Sequence, residues 1–135
     1  MKTVYAVGLG PGSSALLTPR AREVLAFCDT VAGYRTYLEQ IPELLPGKRI
    51  IASGMRQELD RCRAALEAVK EGAAVAVVSS GDAGIYGMAG LLMELTETEE
   101  FRGINVEVVP GITAASAAAA LVGAPLMCDF CVISL

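Results

Sequence analysis

Three short segments hold the residues whose types and spacing could support chemistry. They are Gly8-Leu9-Gly10-Pro11-Gly12, Ser79-Ser80-Gly81-Asp82-Ala83-Gly84 and Pro110-Gly111-Ile112-Thr113. Glycine lets a backbone approach a ligand closely because no Cβ intervenes. Each segment follows a short apolar run, where a strand would end and a loop begin. Taken singly, each could be ordinary turn chemistry; together at one edge of a sheet, they could bind and align a ligand. Proton transfer has little support. The chain has no His, no Ser–His–Asp set and no paired carboxylates at an obvious site, which argues against hydrolysis and general-acid chemistry. A reaction that runs by positioning fits better.

Nucleotide phosphate chemistry is disfavoured. The dinucleotide fingerprint needs Gly at position 13, which is Ser13, and an acid after the second strand, where Ala32-Gly33-Tyr34 stands. The phosphate-binding loop is missing too, since Gly47-Lys48 is followed by Arg49 and lacks the upstream glycine. Asp82 has two compatible readings: an N-cap for a helix starting near Ala83, or a carboxylate held at a cleft before a cationic or hydroxylated ligand. Cys128-Asp129-Phe130-Cys131 has a metal or redox spacing. In a strand, however, positions three apart point to opposite faces, and no second pair or His completes a zinc set. All four cysteines (Cys28, Cys62, Cys128, Cys131) lie in apolar segments and read as small buried hydrophobes.

The elements that must position these loops follow from periodicity. Strands are expected at 3–7, 30–32, 49–52, 73–78, 104–109 and 130–135. Thr18 reads as a helix N-cap with Pro19 at the first helical position, and Ala21, Val24, Leu25 and Cys28 give that helix its apolar face. A short helix is expected over 34–40. The clearest helix is 57–70, with Leu59, Cys62, Leu66 and Val69 as the buried stripe and Glu58, Arg61, Arg63 and Glu67 largely away from it. Further helices are expected over 85–95 and 113–121. Strands alternating with helices predict an α/β fold, a mainly parallel sheet with helices on both faces. Ligands of such sheets bind beyond the carboxyl ends of the strands, where the three loops would form a cleft floor.

Composition agrees. Of 135 residues, 53% are hydrophobic and only 19% charged, which suits strands buried on both faces. No apolar run approaches the roughly 18 residues of a membrane span, and a cytoplasmic protein is expected. The net charge of −4 argues against nucleic acid as a partner. Lys48, Arg49, Arg56, Arg61 and Arg63 nevertheless cluster in one stretch. They read either as a solvated face or as a patch for an anionic small molecule. The sequence stops within an apolar run with no polar cap behind it, which predicts a cut chain.

The loops also carry a resemblance. Val7-Gly8-Leu9-Gly10-Pro11-Gly12 resembles the opening loop of the tetrapyrrole methylases. The run Ser79-Ser80-Gly81-Asp82-Ala83-Gly84-Ile85-Tyr86-Gly87-Met88-Ala89-Gly90 resembles their precorrin-3B C-17-methyltransferase branch, with Ala83 as a marker where most branches have Pro. Val109-Pro110-Gly111-Ile112-Thr113-Ala114, Gly123-Ala124-Pro125-Leu126 and Asp129-Phe130 also fit, while Cys128 stands where His is expected. The resemblance implies that residues 1–135 form the N-terminal α/β domain of a two-domain methyltransferase, the second domain being absent from this chain. It implies S-adenosylmethionine as methyl donor, lying on Pro11, Gly81, Asp82, Ile85, Thr113 and Ala114. The implied acceptor is an anionic precorrin or cobalt-precorrin, methylated at C-17 with ring contraction in cobalamin biosynthesis, and Arg56 would bind it. A homodimer is expected. The alternative is a non-catalytic half domain that folds and associates or binds a ligand weakly.

Overall fold

A computed structural model describes residues 1–135. Five parallel strands form one sheet: β1 (Thr3–Gly8), β2 (Thr30–Tyr34), β3 (Arg49–Ser53), β4 (Val75–Ser79) and β5 (Asn105–Val109), in the order β3-β2-β4-β1-β5. Between them run α1 (Pro19–Phe27), α2 (Arg35–Leu38), α3 (Glu58–Lys70) and α4 (Ala89–Thr96), and α5 (Ala114–Leu121) follows β5. The alternating pleat divides the central strands between two cores. Val4 and Ala6 of β1 and Val75 and Val77 of β4 pack with Leu66 and Val69 of α3 and Leu92 of α4. Val7, Ala76 and Val78 turn the other way, onto Val24 and Leu25 of α1 and Leu38 of α2. A strand buried on both faces has no polar side to show, hence the unbroken run Val75-Ala76-Val77-Val78.

Local signals set several boundaries as expected. The Thr18 hydroxyl accepts from the Ala21 N–H, and Pro19 occupies the first turn, where its missing N–H costs nothing. Gly72, with φ of 105°, ends the α3 segment.

Four expectations need correction. The helix predicted over 85–95 begins only at Ala89, because the chain turns through 84–88 first, with Tyr86 at φ of 54°. Residues 130–135 form no strand; they lie exposed and off the sheet, held to the connection after β4 by a bond from the Tyr86 hydroxyl to the Val132 carbonyl at 3.2 Å. An apolar run becomes a strand only where a neighbouring strand completes its hydrogen bonds. The stripe of α3 is rotated from the predicted one. Leu59 is 51% exposed, while Arg61 is only 4% exposed. Arg61, Ala65 and Ala68 lie on successive turns of one face, and the two small alanines let α3 sit close to the sheet. Finally, Cys28 and Cys62 are buried as expected, but Cys128 and Cys131 are exposed.

Burial pushes the Cys28 thiol up to about 12 and the Cys62 thiol up to about 11, so both stay neutral at physiological pH. Only the thiolate is a good nucleophile. In the folded chain, Cys28 and Cys62 should resist a maleimide reagent that labels Cys128 and Cys131, and they should react once denaturant is added. Prompt labelling of all four thiols in the native protein, read by mass spectrometry, would contradict the buried assignment.

Candidate functional site

The chain leaves β1 toward α1 on one face of the sheet and leaves the adjacent β4 toward α4 on the other. Strand order reverses here, and a crevice forms where the two connections part. The three glycine-bearing loops meet at this place. Gly10 and Gly81 exchange backbone hydrogen bonds of 3.0 and 2.8 Å, and the Leu9 N–H reaches the Ser79 carbonyl at 2.8 Å. The third loop is pressed against both. A Cβ on Gly111 would lie 2.2 Å from the Gly81 carbonyl oxygen and 2.8 Å from the Gly8 carbonyl. A Cβ on Gly8 would meet the same Gly81 oxygen at 2.7 Å. These glycines are required because backbone packs on backbone. Ligand approach alone, the reason read from the sequence, is not what demands them.

Asp82 joins the second loop to the third. One carboxylate oxygen accepts from the Gly111 N–H and the other from the Gly84 N–H, each at 2.9 Å. The N-cap reading of Asp82 is therefore corrected: the helix behind it starts seven residues later, at Ala89. The carboxylate is a clamp between loops, only partly buried. With one N–H on each oxygen, it keeps further acceptor capacity toward the crevice.

The predicted residues fall into two groups. Gly81 lies against Thr113 and Ala114, its Cβ position being 3.5 Å from Thr113 Cα and 3.6 Å from the Ala114 nitrogen. Asp82 is held to the same third loop, and Pro11 directly follows the Gly10–Gly81 bridge. Thr113 is the N-cap residue of α5, yet its hydroxyl makes no capping bond. Ile85 is farther out on the second loop and 42% exposed. Arg56 stands apart, exposed in the β3–α3 connection with φ of 62°.

The basic patch of the sequence disperses on folding. Lys48 and Arg49 sit at the start of β3, the opposite end of the sheet from the loops, where Lys48 reaches the Cys28 carbonyl and Arg49 pairs with Glu71 at 3.6 Å. Arg63 pairs with Glu100 and covers the Phe101 ring. Only Arg56 and Arg61 remain at the carboxyl edge. The sequence reading missed Arg61 as a buried residue. Its position four before Ala65 and seven before Ala68 was the signal available. A concavity of about 360 Å³ around Tyr5, Phe27 and Gly72 is also at the far end of the sheet, away from the loops.

A doubly wound parallel sheet whose three glycine loops close on one another at a strand-order reversal defines a class of small-molecule-binding α/β domains. Residues 3–135 match the tetrapyrrole (corrin/porphyrin) methylases, and the chain belongs to that family. It is 49% identical over 129 residues to a probable cobalt-factor III C(17)-methyltransferase of Salmonella typhimurium, covering 96% of this chain and 53% of the relative. A crystal structure of the methyltransferase CobJ superposes with a TM-score of 0.89 at 44% identity, covering 96% of this chain and 54% of that one. The uroporphyrin-III C-methyltransferase of Thermus thermophilus, solved in complex with S-adenosyl homocysteine, superposes with a TM-score of 0.72 at 31% identity, covering 86% and 51%. The chain thus spans about half the length of these relatives. No helix is long and apolar enough to cross a membrane.

Proposed function

We propose that this chain is the donor-binding half of an S-adenosylmethionine-dependent methyltransferase that methylates C-17 of a precorrin or cobalt-precorrin in cobalamin biosynthesis. The observation carrying this reading is the closed set of three loops at the carboxyl edge, with Asp82 bridging two of them. The relative named for cobalt-factor III C(17) methylation and the structure solved with S-adenosyl homocysteine support the substrate and donor. The bound donor supplies an activated methyl group on a sulfonium.

The chain's own residues fit that group. The crevice floor is backbone and small side chains, so a flat or folded ligand can lie against it without displacing anything bulky. Pro11, Gly81, Asp82, Ile85, Thr113 and Ala114 hold the donor in this reading, with the Thr113 hydroxyl and the outer lone pairs of Asp82 as its polar partners. A carboxylate near the sulfonium favours its charge. Displacement at a methyl carbon requires donor and acceptor in line, and rigid loops set that line. Arg56 meets the acidic tetrapyrrole from the far side of β4. A second region of the full-length protein covers α5 and encloses both ligands, and the assembled protein is a homodimer.

Methyl transfer tests the whole reading: full-length protein, S-adenosylmethionine and cobalt-factor III should give a product one methyl heavier, with NMR placing the group at C-17. No transfer under anaerobic conditions would sink it. Asp82→Ala tests the donor site. It removes two bonds to a charged acceptor, each worth roughly 1.5–3 kcal/mol, so the stability loss should exceed that of a simple cap, about 1 kcal/mol. Affinity for S-adenosylhomocysteine should fall about ten-fold in calorimetry. Unchanged affinity in a folded variant would leave Asp82 as a loop clamp alone.

A further inference from the structure

Arg61 is the one cation at the carboxyl edge that is withdrawn from water. It is 4% exposed. One terminal nitrogen donates to the Ser53 hydroxyl at 2.6 Å, and the other lies 3.7 Å from the Met88 sulfur, a weak acceptor. Its Nε is buried with no hydrogen-bond partner. No ion pair within 4.0 Å includes it. A guanidinium does not escape burial by losing its proton. A buried positive charge with no counter-charge is strongly unfavourable unless an anion completes it.

The surroundings have room for that anion. Arg61 lines a cavity of about 140 Å³ with Tyr34, Glu58, Ser79, Tyr86 and Met88. Tyr34 ends β2, Ser79 ends β4, and Gly54 beside them follows β3. The cavity therefore sits at the same edge of the sheet as the glycine loops, displaced toward the β2 and β3 side. It is several times the roughly 30 Å³ a water molecule occupies in the liquid, enough for a carboxylate and part of its arm. The phenol of Tyr34 and the exposed Tyr86 ring flank it with donor and apolar surface. Glu58 shares the wall but does not reach the guanidinium.

We propose that Arg61 receives one peripheral carboxylate of the tetrapyrrole in this cavity and so fixes the rotation of the macrocycle against the donor loops. The identity of the ligand rests on the function proposed above; the need for an anion does not. β4 divides the two subsites, donor on the β1 and β5 side and carboxylate anchor on the β2 and β3 side. A carboxylate there can take the Nε–H and the free Nη2–H together, the paired geometry guanidinium favours.

The test uses the full-length protein labelled with 15N-arginine. The Nε–H signal of Arg61 is assigned by its loss in Arg61→Lys. Uroporphyrin III, an uncharged amide derivative of it, succinate and S-adenosylhomocysteine are titrated separately. The Arg61 signal should shift with uroporphyrin III and with succinate, and not with the amide or with S-adenosylhomocysteine. Arg61→Met should weaken uroporphyrin III binding about ten-fold or more, with Arg61→Lys between it and the parent. S-adenosylhomocysteine affinity should stay within about two-fold in both, which also shows that each variant is folded. Equal uroporphyrin III affinity in parent and Arg61→Met overturns the anchor and leaves the tetrapyrrole reading standing. An Nε signal deaf to every carboxylate but moved by Glu58→Gln overturns it as well, because Glu58 is then the counter-ion. If the parent protein binds no uroporphyrin III, the tetrapyrrole reading fails, and an Arg61 signal unmoved by succinate then removes the anion site too.

Discussion

Gly111→Ala should lower the melting temperature by about 10 °C or more and abolish measurable S-adenosylhomocysteine binding. Gly111 does not have a positive φ, so alanine suits its backbone conformation. Space decides the outcome. The new methyl would stand 2.2 Å from the Gly81 carbonyl oxygen and 2.8 Å from that of Gly8. Both obstacles are backbone, so neither can rotate away as a side chain would. The third loop must therefore lift off the other two. Overpacking of this kind costs about 1–3 kcal/mol, and lifting the loop also breaks the bond from Gly111 N–H to Asp82, worth roughly 1.5–3 kcal/mol more. For a domain of this size each kcal/mol moves the midpoint by about 4 °C. Thr113 and Ala114 move with the loop, and the proposed donor site goes with them. Gly90→Ala is the control. Gly90 lies in α4 with nothing within 4 Å of its Cβ position, so alanine should stabilise by about 0.5–1 kcal/mol through helix propensity. Calorimetric melting of both variants checks the pair. Parent-like stability and ligand binding in Gly111→Ala would mean the three loops are not packed as described.

The second large effect concerns residues 1–135 expressed alone. On the proposed function, their methyl transfer should fall at least about 10³-fold below that of the full-length protein, since enclosure and alignment supply much of such a rate. The physical reason lies in α5. Its sequence, Ala-Ala-Ser-Ala-Ala-Ala-Ala-Leu, is almost wholly apolar, yet none of its residues is buried. A helix apolar all round is stable when covered, and eight residues are too few to hold a helix in water unaided. Leu121, Val122, Met127 and Ile133 beside it are exposed as well. With α5 uncovered in solution, its first turn should fray, and Thr113 and Ala114 should lose their fixed positions. Amide hydrogen exchange should therefore be fast across 114–121 in the isolated segment and slow in the full-length protein, with β4 protected in both. Exposed apolar surface of this extent also drives association, so light scattering should find the segment in dimers or larger species. Full turnover by the segment alone, or equal protection of α5 in the two forms, would show that residues 1–135 need no cover.

The sequence by itself determined the architecture. Short continuous apolar runs bounded by turn residues, such as Val75-Ala76-Val77-Val78, read as strands buried on both faces, and helices between them point to a parallel sheet with two cores. The Thr18–Pro19 start and the Gly72 stop were legible because caps and left-handed glycines are local chemistry. Positions of the three loops followed from the strand ends. What the loops do to one another did not. The Gly10–Gly81 bridge, the seat of Gly111 and the two bonds of Asp82 join residues far apart in the chain, and no local pattern encodes which loop faces which. Asp82 looked like a helix cap because capping is the commonest local use of an aspartate before a helix. The apolar run 130–135 looked like a strand because composition is silent about whether a neighbour is there to pair with it. Charge was the least legible. Lys48, Arg49, Arg56, Arg61 and Arg63 are close in sequence, but β3 separates the first two from the rest by its whole length, and the turn of α3 sends Arg61 inward and Arg63 to Glu100. Side-chain direction in a helix changes by about 100° per residue, so neighbours in sequence face different worlds, and only the packed structure decides which cation is left at the cleft.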